Sequence, residues 1–361
     1  MSRRLFWLLS AFYFFFFAII GVYVIYMPKV LEIEGYSSFQ IGVVFAMSPL
    51  MRFIAPFFFL RRLSLIARVY IGALILSLVA GLLFYLTLHN FWLFLLPNIM
   101  LGIAFALILP YAETIALQNI GKERYGRARL WGSIGFILVA LLLARLMGDS
   151  ANALHFLFFT IVATAAVGIL LVRYEQTKKS ESAERGFSLI AHWKLWVSIF
   201  LMQVSFGPFY NFFTIYESEH GLDYVTISYL WTFGVICEIV MLYFQAPLMR
   251  RNLLSLIKFS TFVTIFRWLL VHFFPTNLHI LYLAQSLHAF SFALYYSAAI
   301  AYLFEIYANK KLAQQFFGGI SFGLGGFVGS ILAGLFYGKY LFLYAAAVAA
   351  LAYLFIAKER T

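Results

Sequence analysis

Cysteine occurs once in the 361 residues, at Cys237, so no disulfide can close within the chain and the residue reads as a small packing side chain. Charge is scarce as well: Asp, Glu, Lys and Arg together make up 11%, against about 25% in an ordinary soluble domain. The sequence also lacks a phosphate-binding glycine loop, a metal-ligand spacing and a nucleophile triad, so neither a cofactor nor a motif-borne enzyme activity is expected. What remains is apolar. Hydrophobic residues are 64% and aromatics 20%, and the mean hydropathy is +0.92. Such a chain is dissolved in lipid rather than water.

Runs of about 20 apolar residues, enough for a helix to cross the roughly 30 Å hydrocarbon core, recur from end to end. They do not alternate, which excludes barrel strands. Spans are expected at about 5–30, 40–60, 66–88, 91–119, 126–147, 151–173, 191–216, 225–248, 254–274, 278–306, 313–337 and 340–357. The basic start MSRRL runs into apolar sequence as far as Met27 with no small-residue cleavage site, and so reads as an uncleaved first span. The expected architecture is all-α and integral to the membrane, with twelve transmembrane helices.

The net charge of +12 sits in short loops rather than on one broad polar surface, so topology explains it better than nucleic acid. Counting spans puts Arg3, Arg4, Arg61, Arg62, Lys178, Lys179, Arg250, Arg251, Lys310 and Lys311 on one face, while the opposite loops carry Glu32, Glu34, Asp149, Glu217, Glu219 and Asp223. Positive charge marks the inside, so both termini are expected in the cytoplasm of a multi-pass cell (inner) membrane protein.

One polar interruption, YEQTKKSESAERGFS at Tyr174–Ser188, divides the chain. The expected domains are a six-helix bundle at 1–173, a cytoplasmic linker at 174–190 and a second six-helix bundle at 191–361. Gly35 matches Gly221 and Ile41 matches Ile227 at one offset, and the Arg-Arg pair with its following SLI returns in both halves. Six spans separate the copies, so both point the same way. Parallel repeats of this kind imply alternating access around a site near the midplane.

The stretch PYAETIALQNIGKERYGRARLWGSIG, Pro110 to Gly135, places charges within apolar runs. A charge deep in a bilayer costs about 2.5–3.5 kcal/mol on insertion scales and usually faces a cavity or a partner. Glu113 and Arg129 lie eight residues either side of Gly121. If Gly121 turns a helical hairpin, both sit roughly 12 Å from the turn and can meet. Arg129 either serves a site or snorkels to the headgroups, whereas the shorter Glu113 carboxylate reaches less far and reads as functional. At the repeat offset Arg52 matches Glu238; the two either face each other across a cavity, serve a solute, form a static pair or are two separately satisfied polar groups. Arg267 and His288 lie about ten residues either side of a turn near Pro275 to Asn277, roughly 15 Å down, a placement suited to proton relay. Tyr23, Tyr210 and Tyr216 have polar tips on the helices expected to line the cavity. The eleventh span carries Gly319 and Gly323, Gly325 and Gly329, and Gly334 and Gly338 at spacing four, a pattern for close helix packing.

These residues resemble the major facilitator superfamily, in the branch containing lactose permease and the phenylpropionate permeases. YGRARLWGSIGF, Tyr125 to Phe136, is similar to the start of helix five in both, and PYAE to the P-x-x-E of lactose permease helix four. NFFTIY, Asn211 to Tyr216, and GVICEI, Gly234 to Ile239, look closer to the phenylpropionate branch. The resemblance implies that Glu113 and Arg129 correspond to the sugar-binding acid and arginine of lactose permease, and Ser133 to a nearby substrate-contacting position. It makes Glu238 the substrate-linked acid of helix eight, and Arg267 and His288 members of the proton-coupling region. Two departures stand out. Ser291 occupies the place of the glutamate that carries the proton in lactose permease, and RFIAPFFFLRRL lacks the aspartate of the usual signature after helix two.

The resulting expectation is a secondary active transporter, not an enzyme. It would move a small organic solute such as an aromatic carboxylic acid together with protons, as a monomer, with Glu113, Glu238 or His288 carrying the proton. A sugar or nucleoside proton symporter is the alternative. A membrane-embedded enzyme and a non-transporting sensor are the readings from other classes.

Overall fold

Lipid offers no partner to backbone N–H and C=O groups, so each apolar run must satisfy them within itself, as a helix does. In the computed structural model, which describes residues 3–61, 66–146, 150–175 and 188–359, every regular element among the described residues is helical. Residues 176–187 of the expected linker lie outside the described residues, as do Arg62, Asp149, Lys178, Lys179 and Arg185.

Each expected span coincides with a helix. In the first half these are α1 (Arg3–Ile33), α2 (Ser38–Arg61), α3 (Ala67–Thr87), α4 (Phe91–Gly121), α5 (Arg124–Ala144) and α6 (Ser150–Tyr174). In the second, α7 comes in two pieces, Trp193–Ser205 and Gly207–Glu219, followed by α8 (Tyr224–Phe244), α9 (Leu253–Phe273) and α10 (Leu278–Ile306). Then come α11, built of Lys310–Gly318, a π-helical Gly319–Gly325 and Gly326–Leu335, and α12 (Leu341–Ala357). Gly121, at φ 73°, is the turn between α4 and α5, as its place between two apolar runs predicts. The chain forms two compact units, Met1–Ser180 and Glu181–Thr361.

The repeat read from Gly35 and Gly221 is a repeat of backbone geometry. Both adopt positive φ, 86° and 91°, where a side chain would be strained. Around the first, Gly35 N–H donates to Glu32 O (3.0 Å) and Tyr36 N–H to Leu31 O (2.9 Å). Around the second, Gly221 N–H donates to Ser218 O and Leu222 N–H to Glu217 O, both at 3.1 Å. Each pair is a Schellman cap that satisfies the last carbonyls of the first helix of its unit. Well before each glycine that helix is interrupted: α1 turns π-helical over Val22–Tyr26, and α7 breaks at Phe206 just before Gly207 and Pro208.

Helix pairing repeats too. A Cβ on Gly135 of α5 would strike the Phe14 carbonyl of α1, and one on Gly207 of α7 the backbone of Gly329 on α11. A Cβ on Gly102 of α4 would come within 2.7 Å of Ser48 Cα on α2, and one on Gly234 of α8 within 3.2 Å of Gln285 on α10. With no side chain in the way, the backbones approach closely. Of the glycines noted on the eleventh span, Gly325 and Gly329 make such contacts against α7, while Gly338 serves as a turn residue at φ 144°.

Candidate functional site

In the N-terminal unit, the α4–α5 hairpin places Glu113 beside Tyr125, whose hydroxyl donates to Glu113 Oε1 at 3.0 Å. Arg129, one turn further along α5, lies with its guanidinium 3.6 Å from the ring centroid of Phe17 and 5.7 Å from that of Tyr13. Gly132 leaves the space that lets Phe17 and Arg129 meet. Glu113 and Arg129 form no ion pair with each other among the described residues. They share one neighbourhood, but the carboxylate is held by a tyrosine and the guanidinium by aromatic faces. Ser133 is half-buried one turn beyond Arg129.

Arg52 on α2 lies 5.5 Å from the Phe105 ring, and its Nε is buried without a hydrogen-bond partner. No acid of its own unit pairs with it among the described residues. Tyr23 donates to Asn98 Oδ1 at 2.6 Å, and Asn98 Nδ2 donates in turn to Phe94 O at 2.7 Å. The Tyr23 ring stands edge-on to Phe45 at 4.9 Å, and Phe16, next to the Phe17 that carries Arg129, stands edge-on to Phe105 at 5.2 Å. One face of α1 therefore connects the surroundings of Arg129 and Arg52.

In the C-terminal unit, Arg267 on α9 is 0% exposed. It donates from Nη1 to His288 Nδ1 (2.8 Å) and Ser291 Oγ (3.2 Å) and from Nη2 to Gln285 Oε1 (3.1 Å), all on α10. Its flat face lies 4.4 Å from Phe209 and 4.5 Å from Trp268. His288 stacks on Phe292 with ring centroids 5.0 Å apart, and its Nε2 is 3.6 Å from Glu238 Oε2 on α8. Arginine has no acceptor, so the bond from Arg267 makes Nδ1 the accepting nitrogen and puts the imidazole proton on Nε2, facing Glu238. Tyr210 stacks on Phe206, itself 5.6 Å from the Arg267 guanidinium. Tyr216 packs instead on His220 and Phe342, and among the described residues no hydrogen bond or ring contact joins it directly to the Arg267 group.

Some residues were not nominated from the sequence. Tyr125, Asn98 and Gln285 complete the three groups, and the amides at least carry a signal as polar side chains inside apolar runs. Glu217, expected among the loop acids, is instead 0% exposed, because α7 continues to Glu219 and turns this side chain inward. Away from these groups, an apolar groove of about 310 Å³ between α3 and α6, bordered by Ile71, Leu74 and Val162 among others, contains none of the candidate residues.

The described residues contain no cluster of His, Cys, Asp or Glu that could hold a metal. The model of the MFS_1 like family matches residues 6–346. The probable 3-phenylpropionic acid transporter of Escherichia coli (strain K12) is 24% identical over 328 residues, covering 86% of this chain and 84% of that protein. The uncharacterized transporter YwbF of Bacillus subtilis (strain 168) is 27% identical over 325 residues, covering 84% and 79%. Among solved structures, the crystal structure of the nucleoside transporter NupG has a TM-score of 0.82 at 17% identity, covering 99% of this chain and 100% of that one. The family match, the twelve helices among the described residues and the likeness in fold lead to one conclusion: the chain belongs to the MFS_1 like family and is a multi-pass membrane transporter of the major facilitator superfamily, not an enzyme.

Proposed function

We propose that this transporter is a proton-coupled symporter that imports a small aromatic carboxylic acid. Arg52 carries the reading. A guanidinium in a membrane helix with a buried, unpartnered Nε and no acid of its unit beside it needs an anion, and a planar carboxylate matches its fork. Arg267 is already committed to three acceptors, and Arg129 to two aromatic faces. Tyr23, Phe45 and Phe105 near Arg52 suit the aromatic part of the solute. The name of the Escherichia coli relative points to the same class of solute.

The proton is assigned to Glu238 and His288. Arg267 holds the imidazole so that its N–H faces the carboxylate, and protonation of Glu238 loosens that attraction. Ser291, where lactose permease carries its proton-holding acid, here only accepts a bond from Arg267. Solute carboxylate and proton together add no net charge, so the loaded and the empty carrier have the same total charge as access alternates. Bundles 1–173 and 191–361 act as the two halves, joined by the linker 174–190, in a monomer with both termini in the cytoplasm of the inner membrane. The basic residues clustered in one set of loops support that orientation.

A second reading, a neutral hydroxylated solute such as a sugar or nucleoside, draws support from Glu113 and Tyr125 beside the rings of Tyr13 and Phe17. Thermal unfolding of the purified protein with aromatic acids, sugars and nucleosides separates the two, because a ligand at 100 times its Kd stabilises the folded state by about 2.7 kcal/mol. The proposal expects a shift with 3-phenylpropionate that Arg52→Gln removes. A shift only with sugars or nucleosides, lost in Glu113→Gln, replaces it with the second reading.

A further inference from the structure

Glu217 lies on the second piece of α7 and is wholly enclosed. Neither of its carboxylate oxygens has a hydrogen-bond partner, and no Lys, Arg or His pairs with it among the described residues. An isolated buried carboxylate is too costly to keep ionised, and such a group neutralises by holding a proton.

Of the charged and titratable groups on its own helix and on the elements packed against it, Glu219, His220, Asp223 and Lys339 have partners elsewhere. On its own helix, Glu219 accepts from the Tyr337 hydroxyl at 2.6 Å, and His220 bonds the Tyr216 carbonyl at 2.7 Å. At the start of α8, Asp223 accepts from Val225 and Thr226 and is followed by Tyr224. On the side of α11 and α12 stand Lys339, held over the Tyr340 ring, and Tyr344, whose buried hydroxyl has no partner. None of these donates to Glu217.

The piece that carries Glu217 is set off from the rest of α7 by a break in the helix. Trp193–Ser205 ends at Phe206, and Gly207–Glu219 restarts with Pro208, which has no N–H to continue the helical ladder. Gly207 crosses Gly329 of α11 backbone to backbone, a crossing without side chains about which the arm can rotate. Glu217 sits ten residues beyond that crossing, roughly 15 Å along the arm, so a small rotation displaces it far.

We propose that Glu217 is a second proton-binding site, separate from His288 and Glu238. It holds a proton while the arm Gly207–Glu219 is packed against α11 and α12. When the arm rotates and water reaches the carboxyl, the O–H bond breaks, the electron pair stays on the carboxylate and the proton passes to water. Closing reverses each step. The site stands whether or not Glu238 carries the coupling proton.

The test uses the full chain purified in detergent. Dicyclohexylcarbodiimide, an apolar reagent that adds to protonated carboxyl groups, is applied across pH and the adducts are mapped by mass spectrometry. Glu217 acquires the adduct at mildly acidic and neutral pH, less of it at alkaline pH, and the same amount in Glu238→Gln. In denaturant titrations the wild type releases this proton on unfolding, because an unfolded glutamate ionises above about pH 4.3. Its unfolding equilibrium therefore rises with pH relative to that of Glu217→Gln, by about tenfold per pH unit. Equal pH slopes in the two proteins overturn the proposal. If the variant does not fold, absence of an adduct on Glu217 at every pH overturns it instead.

Discussion

Arg267 donates to Nδ1 of His288 at 2.8 Å, while the other ring nitrogen of the same histidine lies 3.6 Å from Glu238. One bond thus orients the imidazole, and the acid it faces is the more open of the two, its side chain 23% exposed against 8% for His288. Glu238→Gln keeps the shape and removes the titration. Solute exchange across a liposome membrane should continue in this variant, while accumulation driven by a pH gradient should fall to the level seen with a protonophore. Gradient-driven accumulation that survives would place the coupling proton elsewhere.

Arg267→Lys tests the fork rather than the charge. A lysine is a single point donor and cannot reach His288, Ser291 and Gln285 in the same flat geometry. Each buried acceptor left without its donor costs about 1–3 kcal/mol. The variant should unfold at a lower temperature and lose gradient-driven uptake. Wild-type stability would show that the three bonds contribute little.

On the second reading, Glu113→Gln should abolish binding of a sugar or nucleoside while the chain still inserts in the membrane, because it removes the charge that accepts from Tyr125 beside the rings around Arg129. Tyr125→Phe deletes one hydrogen bond, worth about 0.5–1.5 kcal/mol, and should weaken binding only a few-fold. Titration calorimetry on the two variants checks this order. Unchanged binding in both would take the α4–α5 hairpin out of the site.

Asp223 caps α8 by accepting from Val225 N–H and Thr226 N–H, each at 2.9 Å, and from the Thr226 hydroxyl at 2.8 Å. The backbone bond from Thr226, then its hydroxyl, holds the Asp223 carboxyl below the usual aspartate range. A folded-state value below the unfolded one stabilises the fold above the unfolded pKa, and the contribution is lost as pH falls below about 3.9. Asp223→Ala should cost about 1 kcal/mol at neutral pH and flatten the acid limb of the stability curve. Denaturant titrations of both proteins across that range measure it.

The helices and their order were legible because each span is long, apolar and bounded by charge or glycine, and because lipid leaves the backbone no alternative. Gly35, Gly121 and Gly221 announced their turns, since only glycine adopts those backbone angles freely. Arg267 and His288 could be set at one depth by counting residues from their turn. The bond between them, and the part played by Gln285, depend on rotation about α9 and α10, which counting does not reach. Counting from Gly121 sets Glu113 and Arg129 at one depth, but the hydrogen-bond partner of Glu113 is Tyr125, a residue whose aromatic ring hides its polar tip among so many others. Glu217 was misread because an acid at the end of an apolar run looks like a loop residue, and burial there depends on how far α7 extends and on its packing against other helices.

The most direct test of organic-acid symport is uptake of labelled 3-phenylpropionate into proteoliposomes that are more acidic outside than inside, in wild type and Arg52→Gln side by side. The account predicts accumulation by the wild type that collapses on adding a protonophore, and none by Arg52→Gln although it folds and inserts. Equal accumulation by both proteins, or accumulation by the wild type that ignores the pH gradient, would contradict it.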